Sequence, residues 1–361
     1  MKNKNIYFAT DKNIYDALHH KRITVAILRD ILLRKGIILS PELLKEDLIE
    51  EVCKLPHGFY DLDTLKEFVQ TYDKRESTTN VKLTTSSSQN ELKTAAEQVK
   101  KKISTSLGES VSITAKKDGS LSIEVNYQDI DLSRTALRQI DNRSIKIDMT
   151  VNDDSIDIRM PQNQKAKDIL AEVQAELSKI KSEEIGKFEV SLEAIPNPEL
   201  RSQFFQELMN GLEGYEVDDV TNVELNRHNS KDNDDEDEDE EIETGFVKKA
   251  VLKGEGVNSS AIFSQLHSKG YYIGRIAWSA KPKNGIGNRI LVEVFFKDSE
   301  NCSDFSYQIK GINNKKADGY NITLRTATES EKKEISELIE LSAENAYNIV
   351  TGKKVNKHDE S

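Results

Sequence analysis

The sequence predicts an α+β multidomain protein, with a small N-terminal helical domain followed by two domains that each combine an antiparallel sheet with helices. The 361 residues are enough for two or three domains of ordinary size. Apolar residues in the first 72 positions recur at helical spacing, whereas from Val111 to Met160 they alternate with polar ones. Hairpin patterns followed by a long helical pattern then recur in the C-terminal half, which predicts a second sheet-plus-helix domain.

The formal net charge of −12 comes mainly from one segment. Ten acids lie between Asp232 and Glu243, so the rest of the chain is close to neutral. Because like charges repel and bury nothing, residues 228–244 are predicted to be a disordered excursion from the C-terminal domain. An alternative is that this acidic run mimics nucleic acid and competes for a basic surface.

The composition argues against several classes of protein. No apolar run approaches the roughly 18 residues of a membrane span, and the N-terminus lacks the apolar core of a signal peptide. The two cysteines, Cys53 and Cys302, and six scattered histidines form no recognisable metal or disulfide pattern. We therefore expect a cytoplasmic protein with reduced thiols, no bound metal, no cofactor and no membrane partner.

The most informative stretch runs from Thr24 to Leu55. Its apolar spacing predicts two short helices, with Gly36 ending the first. The connection between them, residues 37–41, is apolar and β-branched, so it should be extended and packed down. Ser40 is predicted to cap the second helix, with Pro41 in its first turn.

On these residues the stretch resembles the SAP family, whose helix–extended loop–helix modules bind duplex DNA. The resemblance implies that basic residues around the first helix and loop contact phosphates, independently of base sequence. The alternative is that these cations are only the solvated side of an amphipathic helix. The candidate DNA-binding residues are Lys21, Arg22, Arg29, Arg34 and Lys35.

Changes in composition and period predict the domain boundaries. A Ser/Thr-rich stretch poor in large apolar residues is typical of a linker. The predicted segments are a helical SAP-like domain over 1–72, a linker over 73–90, an α+β domain with two hairpins and a covering helix over 91–185, a C-terminal α+β domain over 186–352 and a tail over 353–361.

Two further basic stretches are weaker candidates for phosphate contacts. The predicted helix from Glu91 to Ile103 has lysines on its polar side, and the connection between the two hairpins carries three arginines. A solvated helix face and an unliganded surface loop are the simpler interpretations. The arginines are Arg134, Arg138 and Arg143.

No catalytic signature is present, so no catalytic residue is assigned. The sequence lacks a phosphate-binding glycine loop and a nucleophile elbow. The alternative of a divergent metal-dependent nuclease depends on acids and a lysine near one predicted strand. Its candidates are Glu293, Lys297, Asp298 and Asp304. Aromatics such as Trp278 are predicted to pack in a core, with base stacking as the alternative.

The C-terminal half, with NPELRSQFFQELMNGLEGYEVDDVTNVEL at 197–225 and CSDFSYQIKG at 302–311, is similar to a family of bacterial proteins. That family occurs in two-gene anti-phage defence cassettes beside a nuclease-like partner. The two resemblances together imply a non-catalytic DNA-binding accessory subunit acting with a nuclease-like protein. A protein-interaction scaffold without nucleic-acid binding remains an alternative.

Overall fold

A computed structural model describes residues 9–70, 76–106, 109–116, 119–227, 249–254 and 261–352. The predicted acidic excursion and the predicted C-terminal tail lie outside these residues. Four helices come first, and helices combined with antiparallel strands follow, so the protein is α+β.

The first half of the chain contains most of the short helices. Its elements are α1 (Asp11–Leu18), α2 (Val25–Arg34), α3 (Lys45–Cys53), α4 (Phe59–Val69), β1 (Thr78–Thr84), α5 (Gln89–Ser106), β2 (Ser110–Ala115), β3 (Leu121–Ile130), a 3₁₀ turn (Ala136–Arg138), β4 (Ile140–Val151), β5 (Ser155–Pro161) and α6 (Gln164–Lys181).

The second half contains the longest strand and the longest helix of the described residues. Its elements are β6 (Gly186–Phe188), α7 (Pro198–Asn210), β7 (Tyr215–Arg227), β8 (Lys249–Lys253), α8 (Ala261–Ser268), β9 (Tyr271–Pro282), β10 (Arg289–Asp298), β11 (Ser303–Asn313) and α9 (Glu329–Val350).

The chain divides into two compact units, each built from separate stretches of sequence. Unit 1 comprises Met1–Arg75, Gln89–Asp148 and Ala175–Ile180. Unit 2 comprises Glu76–Ser88, Met149–Gln174 and Lys181–Ser361. This division differs from the predicted domains over 91–185 and 186–352. Residues 149–174, predicted in the first of these domains, belong to unit 2, where β5 pairs with β1.

Helices α1 to α4 of unit 1 enclose a small apolar core. Ile14, Leu28, Leu48 and Leu62, one from each helix, are all at most 3% exposed. Leu137 of the 3₁₀ turn joins the same core, and its carbonyl accepts a hydrogen bond from the side chain of Gln70. The predicted helical domain therefore exists, but it packs against a residue from the connection between β3 and β4.

The remaining elements of unit 1 form a helix-covered strand layer. Strands β2, β3 and most of β4 are neighbours in that order, and the predicted β2–β3 hairpin is confirmed. Gly119, just before β3, has a φ of +82°, a left-handed conformation that glycine adopts at little cost. Helix α5 packs on β2 and β3 through a buried apolar side that includes Leu92 and Val99.

In unit 2 the strand order is β5-β1-β11-β10-β9-β7-β8, with β6 also paired to β1. Helices α7 and α9 pack together, and α7 also packs on β9. The core they share with the sheet includes Phe204, Trp278 and Tyr272, each 0% exposed. The predicted last helix is confirmed, since Thr328 caps α9 and accepts a hydrogen bond from the Glu331 N–H.

The predicted linker over 73–90 was wrong for its central part. Thr78–Thr84 form β1, which pairs with β5 over its whole length and with β11 at Thr78. Val81 and Leu83 are at most 1% exposed. Their alternation with polar residues is a strand signal that the surrounding Ser and Thr obscured, because threonine is common both in linkers and in strands.

Candidate nucleic-acid interface

The predicted helix–extended loop–helix geometry is present in α2, α3 and their connection. Gly36 has a φ of +77°, and the Ile37 N–H donates to the Leu32 carbonyl at 2.9 Å. This arrangement ends α2 in the left-handed conformation that glycine adopts at little cost. Ile37 and Leu39 are half-buried against the helical core, whereas Ile38 between them is 84% exposed. The loop is therefore extended and packed down, as predicted.

The start of α3 differs from the prediction. The helix begins at Lys45, and the Asp47 carboxylate accepts a hydrogen bond from the Leu44 N–H at 3.0 Å. The Ser40 hydroxyl instead accepts the Glu42 N–H in a tight turn. Ser40 therefore shapes the loop and does not cap the second helix.

Arg29 holds the loop against α2. Its guanidinium donates to the carbonyls of Leu39 at 3.4 Å and Ser40 at 3.0 Å. A forked guanidinium can satisfy two carbonyls at once, which suits a loop whose own backbone groups lack strand partners. This predicted DNA contact therefore has an internal structural role.

Lys35 joins the end of α2 to the start of α4. Its Nζ donates to the Pro56 carbonyl and to the Asp61 carboxylate, both at 2.9 Å, and its side chain is 22% exposed. Burial alone would raise the pKa of Asp61, but hydrogen bonds from Lys35 and the Gly58 N–H outweigh it and lower that pKa. Lys35, like Arg29, is used within the fold.

The other three predicted contacts lie at the two ends of α2. Lys21 is exposed and Arg22 half-buried before its N-terminus, and Arg34 is in its last turn. Arg34 pairs with Asp30 at 2.8 Å, and both side chains are more than half exposed. Such surface pairs contribute at most about 1 kcal/mol, so a phosphate can compete for the guanidinium. Ten helical residues separate these ends by about 15 Å.

Removing the Arg29 side chain should destabilise unit 1 moderately, because its hydrogen-bond partners are neutral carbonyls and not a carboxylate. We expect Arg29→Ala to lower the free energy of unfolding by about 1–2 kcal/mol, because two charge-assisted hydrogen bonds to the loop are lost. Arg34→Ala, on the same helix, should change it by less than about 0.5 kcal/mol. Denaturant unfolding followed by circular dichroism measures both, and equal losses would contradict the structural role of Arg29.

The three arginines of the hairpin connection do not form one cationic surface. Arg134 pairs with Asp131 at 2.9 Å and Asp141 at 2.8 Å. Arg143 pairs with Asp129 at 2.7 Å, while Arg138 is half-buried. On α5, by contrast, Lys93, Lys100 and Lys101 are exposed, which fits the solvated face that the sequence favours.

The nuclease candidates have structural partners instead of forming a metal site. Glu293 is 6% exposed and contacts Lys310 at 2.8 Å and Arg275 at 3.5 Å. Lys297 donates to the Gln162 carbonyl, Lys167 contacts Asp304, and Asp298 accepts N–H groups of its own turn. In the part of the chain that the structure describes, no three metal-binding side chains converge.

Sequence reasoning missed the surroundings of Glu293. This residue belongs to a row of side chains of alternating charge that crosses five neighbouring strands. Five side chains, one from each of β8, β7, β9, β10 and β11, alternate in sign with successive contacts of 2.7, 3.5, 3.5 and 2.8 Å. These are Lys249, Glu224, Arg275, Glu293 and Lys310. Arg275 also lies 3.9 Å from the centroid of the Phe295 ring. Neighbouring charges of opposite sign stabilise strand pairing.

The aromatic side chains considered for base stacking are buried. Trp278 and Tyr272 are 0% exposed, and Phe296 is 2% exposed. Tyr271 and Phe295 are 5% and 6% exposed. Core packing, the interpretation the alternation favours, is what the structure shows for these rings.

A second feature of unit 1 that the sequence did not reveal is a set of individually exposed apolar side chains. Ile38 and Tyr60 are each 84% exposed, Leu44 is 69% and Leu33 is 59% exposed. Leu33 and Tyr60 lie on short helices, which bury only one narrow side. Single exposed apolar side chains are common on folded proteins, and only large contiguous patches mark contact surfaces.

No protein-family model matches the sequence, and no curated protein matches it. Among the described helices, none combines the length and the apolar character needed to cross a lipid bilayer.

Proposed function

We propose that this protein is a non-catalytic, duplex-DNA-binding accessory subunit that contacts the phosphate backbone through α2 and its flanking residues. The observation that carries the proposal is the braced helix–extended loop–helix element with cations at both ends of α2. Lys21, Arg22 and Arg34 are assigned the phosphate contacts. Arg29 and Lys35 hold the element in shape.

The proposed contacts recognise the negative charge of the phosphates and not the base sequence. Lysine and arginine neutralise phosphates and release counterions, which gives binding that weakens steeply as salt rises. Helix α3 carries exposed carboxylates at Glu46, Asp47 and Glu50, so it faces away from DNA in this proposal. The element therefore approaches DNA through one side only.

The chemistry on DNA is assigned to a partner. The buried, paired state of Glu293 gives no support to a nuclease site in this chain. The proposed setting is the anti-phage cassette that the C-terminal resemblance suggests, in which a nuclease-like protein acts on DNA held by this subunit. In this proposal the exposed side chains of Ile38, Leu44 and Tyr60 contact such a partner.

Fluorescence anisotropy with labelled duplex DNA tests the proposal. We expect binding to weaken steeply between about 50 and 200 mM salt. Replacing Lys21, Arg22 and Arg34 together with alanine should weaken binding at low salt by at least about ten-fold. Each lost phosphate contact should also reduce the slope of log affinity against log salt by about 1.

A matched variant separates local contacts from overall charge. Lys269, Lys283 and Lys316 of unit 2 are exposed, and their replacement with alanine removes the same three charges. This control should bind as the wild type does, and unfolding curves should show that both variants fold. Absence of binding at low salt, or equal weakening in the two variants, would show that α2 is not the DNA interface.

The protein-interaction scaffold is retained as a second candidate because Leu33, Ile38, Leu44 and Tyr60 are exposed in the same unit. A scaffold without nucleic-acid contact would show no salt-dependent binding to duplex DNA. The anisotropy experiment therefore distinguishes the two functions directly.

A further inference from the structure

The edge strand β2 of unit 1 lacks the usual protection against pairing with another strand. In the part of the chain that the structure describes, β2 pairs with β3 alone. Its six residues, SVSITA, carry no charge and no proline. Exposed edges of this kind readily pair with further strands, and natural proteins block them with lysine, proline or bulges.

The edge strand of unit 2 provides the contrast. β8 pairs with β7 alone among the described strands, and it begins with Lys249 and ends with Lys253. Lysines on an edge oppose the approach of a second strand because their charges resist desolvation. Among the described strands, β8 thus carries lysines at both ends, whereas the six residues of β2 include none.

The alternating hydrogen-bond pattern of the β2–β3 pair shows which backbone groups of β2 point away from β3. The Lys116 N–H donates to the Ser120 carbonyl at 2.8 Å, so Lys116 bonds towards β3. In an antiparallel pair this direction alternates, so Val111, Ile113 and Ala115 point their N–H and C=O groups to the free edge. Val111 is buried and Ile113 is half-buried on the side covered by α5.

The strand is complementary to itself only when the second strand is antiparallel. Glu109 precedes β2, and Lys116, which also contacts Asp148, follows it. Antiparallel pairing with a second copy sets the acidic end of one strand beside the basic end of the other. Parallel pairing would instead place like charges together. A two-fold axis through Ile113 aligns the open groups of both strands, with Val111 opposite Ala115 of the second copy.

We infer that β2 is a homodimer interface at which two copies of this chain pair their edge strands antiparallel, centred on Ile113. In this register each pair of open residues exchanges two backbone hydrogen bonds. Ser112 lies directly opposite Thr114 of the second copy in a non-hydrogen-bonded pair, where the Cα atoms are about 4.5 Å apart. Both side chains are exposed in the single chain. The inference does not depend on DNA binding.

The opposition of Ser112 and Thr114 permits a register-specific test. In the full-length chain, S112K/T114K places lysine opposite lysine across the interface, and S112E/T114E places glutamate opposite glutamate. We expect sedimentation velocity to show a concentration-dependent dimer for the wild type and a monomer for each variant. An equimolar mixture of the two variants should dimerise again, because every lysine then faces a glutamate.

A backbone variant tests the same edge without charge. Ile113→Pro removes an N–H that points away from β3, so it should abolish the dimer, while Ile113→Thr keeps the N–H and should retain it. Circular dichroism checks that each variant folds. A wild type that stays monomeric throughout, a dimer that survives both the lysine and the proline variants, or folded variants that stay monomeric when mixed would overturn the inference.

Discussion

Replacing Glu340 with alanine is expected to lower the free energy of unfolding of unit 2 by about 3 kcal/mol, since it leaves a partly buried cation without its partner. Glu340 on α9 accepts two hydrogen bonds from Arg159 of β5, both at 2.6 Å, and a third from the Tyr307 hydroxyl. The side chains of Arg159 and Glu340 are 21% and 12% exposed. Burial raises the pKa of Tyr307 well above its usual value, so the hydroxyl stays protonated and donates.

Glu344→Ala is the matched control, because Glu344 lies one turn further along α9. Its partner Lys82 is 2.7 Å away, both side chains are about one-third exposed, and Lys82 keeps a second carboxylate at Asp157. The control should cost less than about 1 kcal/mol. Urea unfolding followed by the fluorescence of Trp278, the only tryptophan, reports on unit 2. Equal losses in the two variants would show that burial does not set the strength of these pairs.

Local sequence signals predicted most individual elements. The apolar period and Gly36 located α2, and Thr328 located the start of α9. The hairpins were found because successive side chains of a strand point to opposite faces of the sheet. Apolar and polar residues therefore alternate along the sequence of a half-buried strand. These signals depend on neighbours within a few positions, so they remain readable without knowledge of the tertiary fold.

Pairing between distant strands could not be predicted in this way. β1 lies between β5 and β11, although β11 follows it by more than 200 residues. Nothing in the seven residues of β1 specifies either neighbour, and their threonines favour a linker as well as a strand. The same limit applies to Tyr320, which forms an isolated bridge with Lys315 outside the named strands.

The helix–loop–helix positions of the five predicted cations followed from the sequence, but the internal contacts of Arg29 and Lys35 did not. The sequence gives the same reason, a positive charge, for proposing each cation as a phosphate contact. These cations are Lys21, Arg22, Arg29, Arg34 and Lys35. Whether a cation is free for phosphate depends on carbonyls and carboxylates supplied by the loop and by α4, such as Ser40 and Asp61. Those partners lie 11 and 26 residues away from Arg29 and Lys35, beyond the range of a helical pattern.

Replacing Phe204 with alanine is expected to destabilise unit 2 by about 3–5 kcal/mol, the range found when a buried phenylalanine is truncated. Phe204 of α7 is 0% exposed. Its ring centroid lies 5.3 Å from that of Phe205, 5.5 Å from Phe296 on β10 and 5.9 Å from Phe305 on β11. The ring therefore joins a helix to two adjacent strands, and its loss leaves a cavity that three aromatic neighbours cannot close without tilting from their present packing.

Substitutions of decreasing side-chain volume at position 204 test whether the loss of stability depends on the volume removed. Phe204→Leu retains much of the apolar volume, so it should cost about 1–2 kcal/mol, clearly less than alanine. Trp278 belongs to the same core, so urea unfolding followed by its fluorescence measures both variants. If α7 were held to the sheet mainly by its hydrogen bonds, such as those from Arg201 to the Ile195 and Glu300 carbonyls, leucine and alanine at position 204 would have similar small effects. A loss that rises with the volume removed identifies the aromatic cluster as the contact that joins helix and sheet.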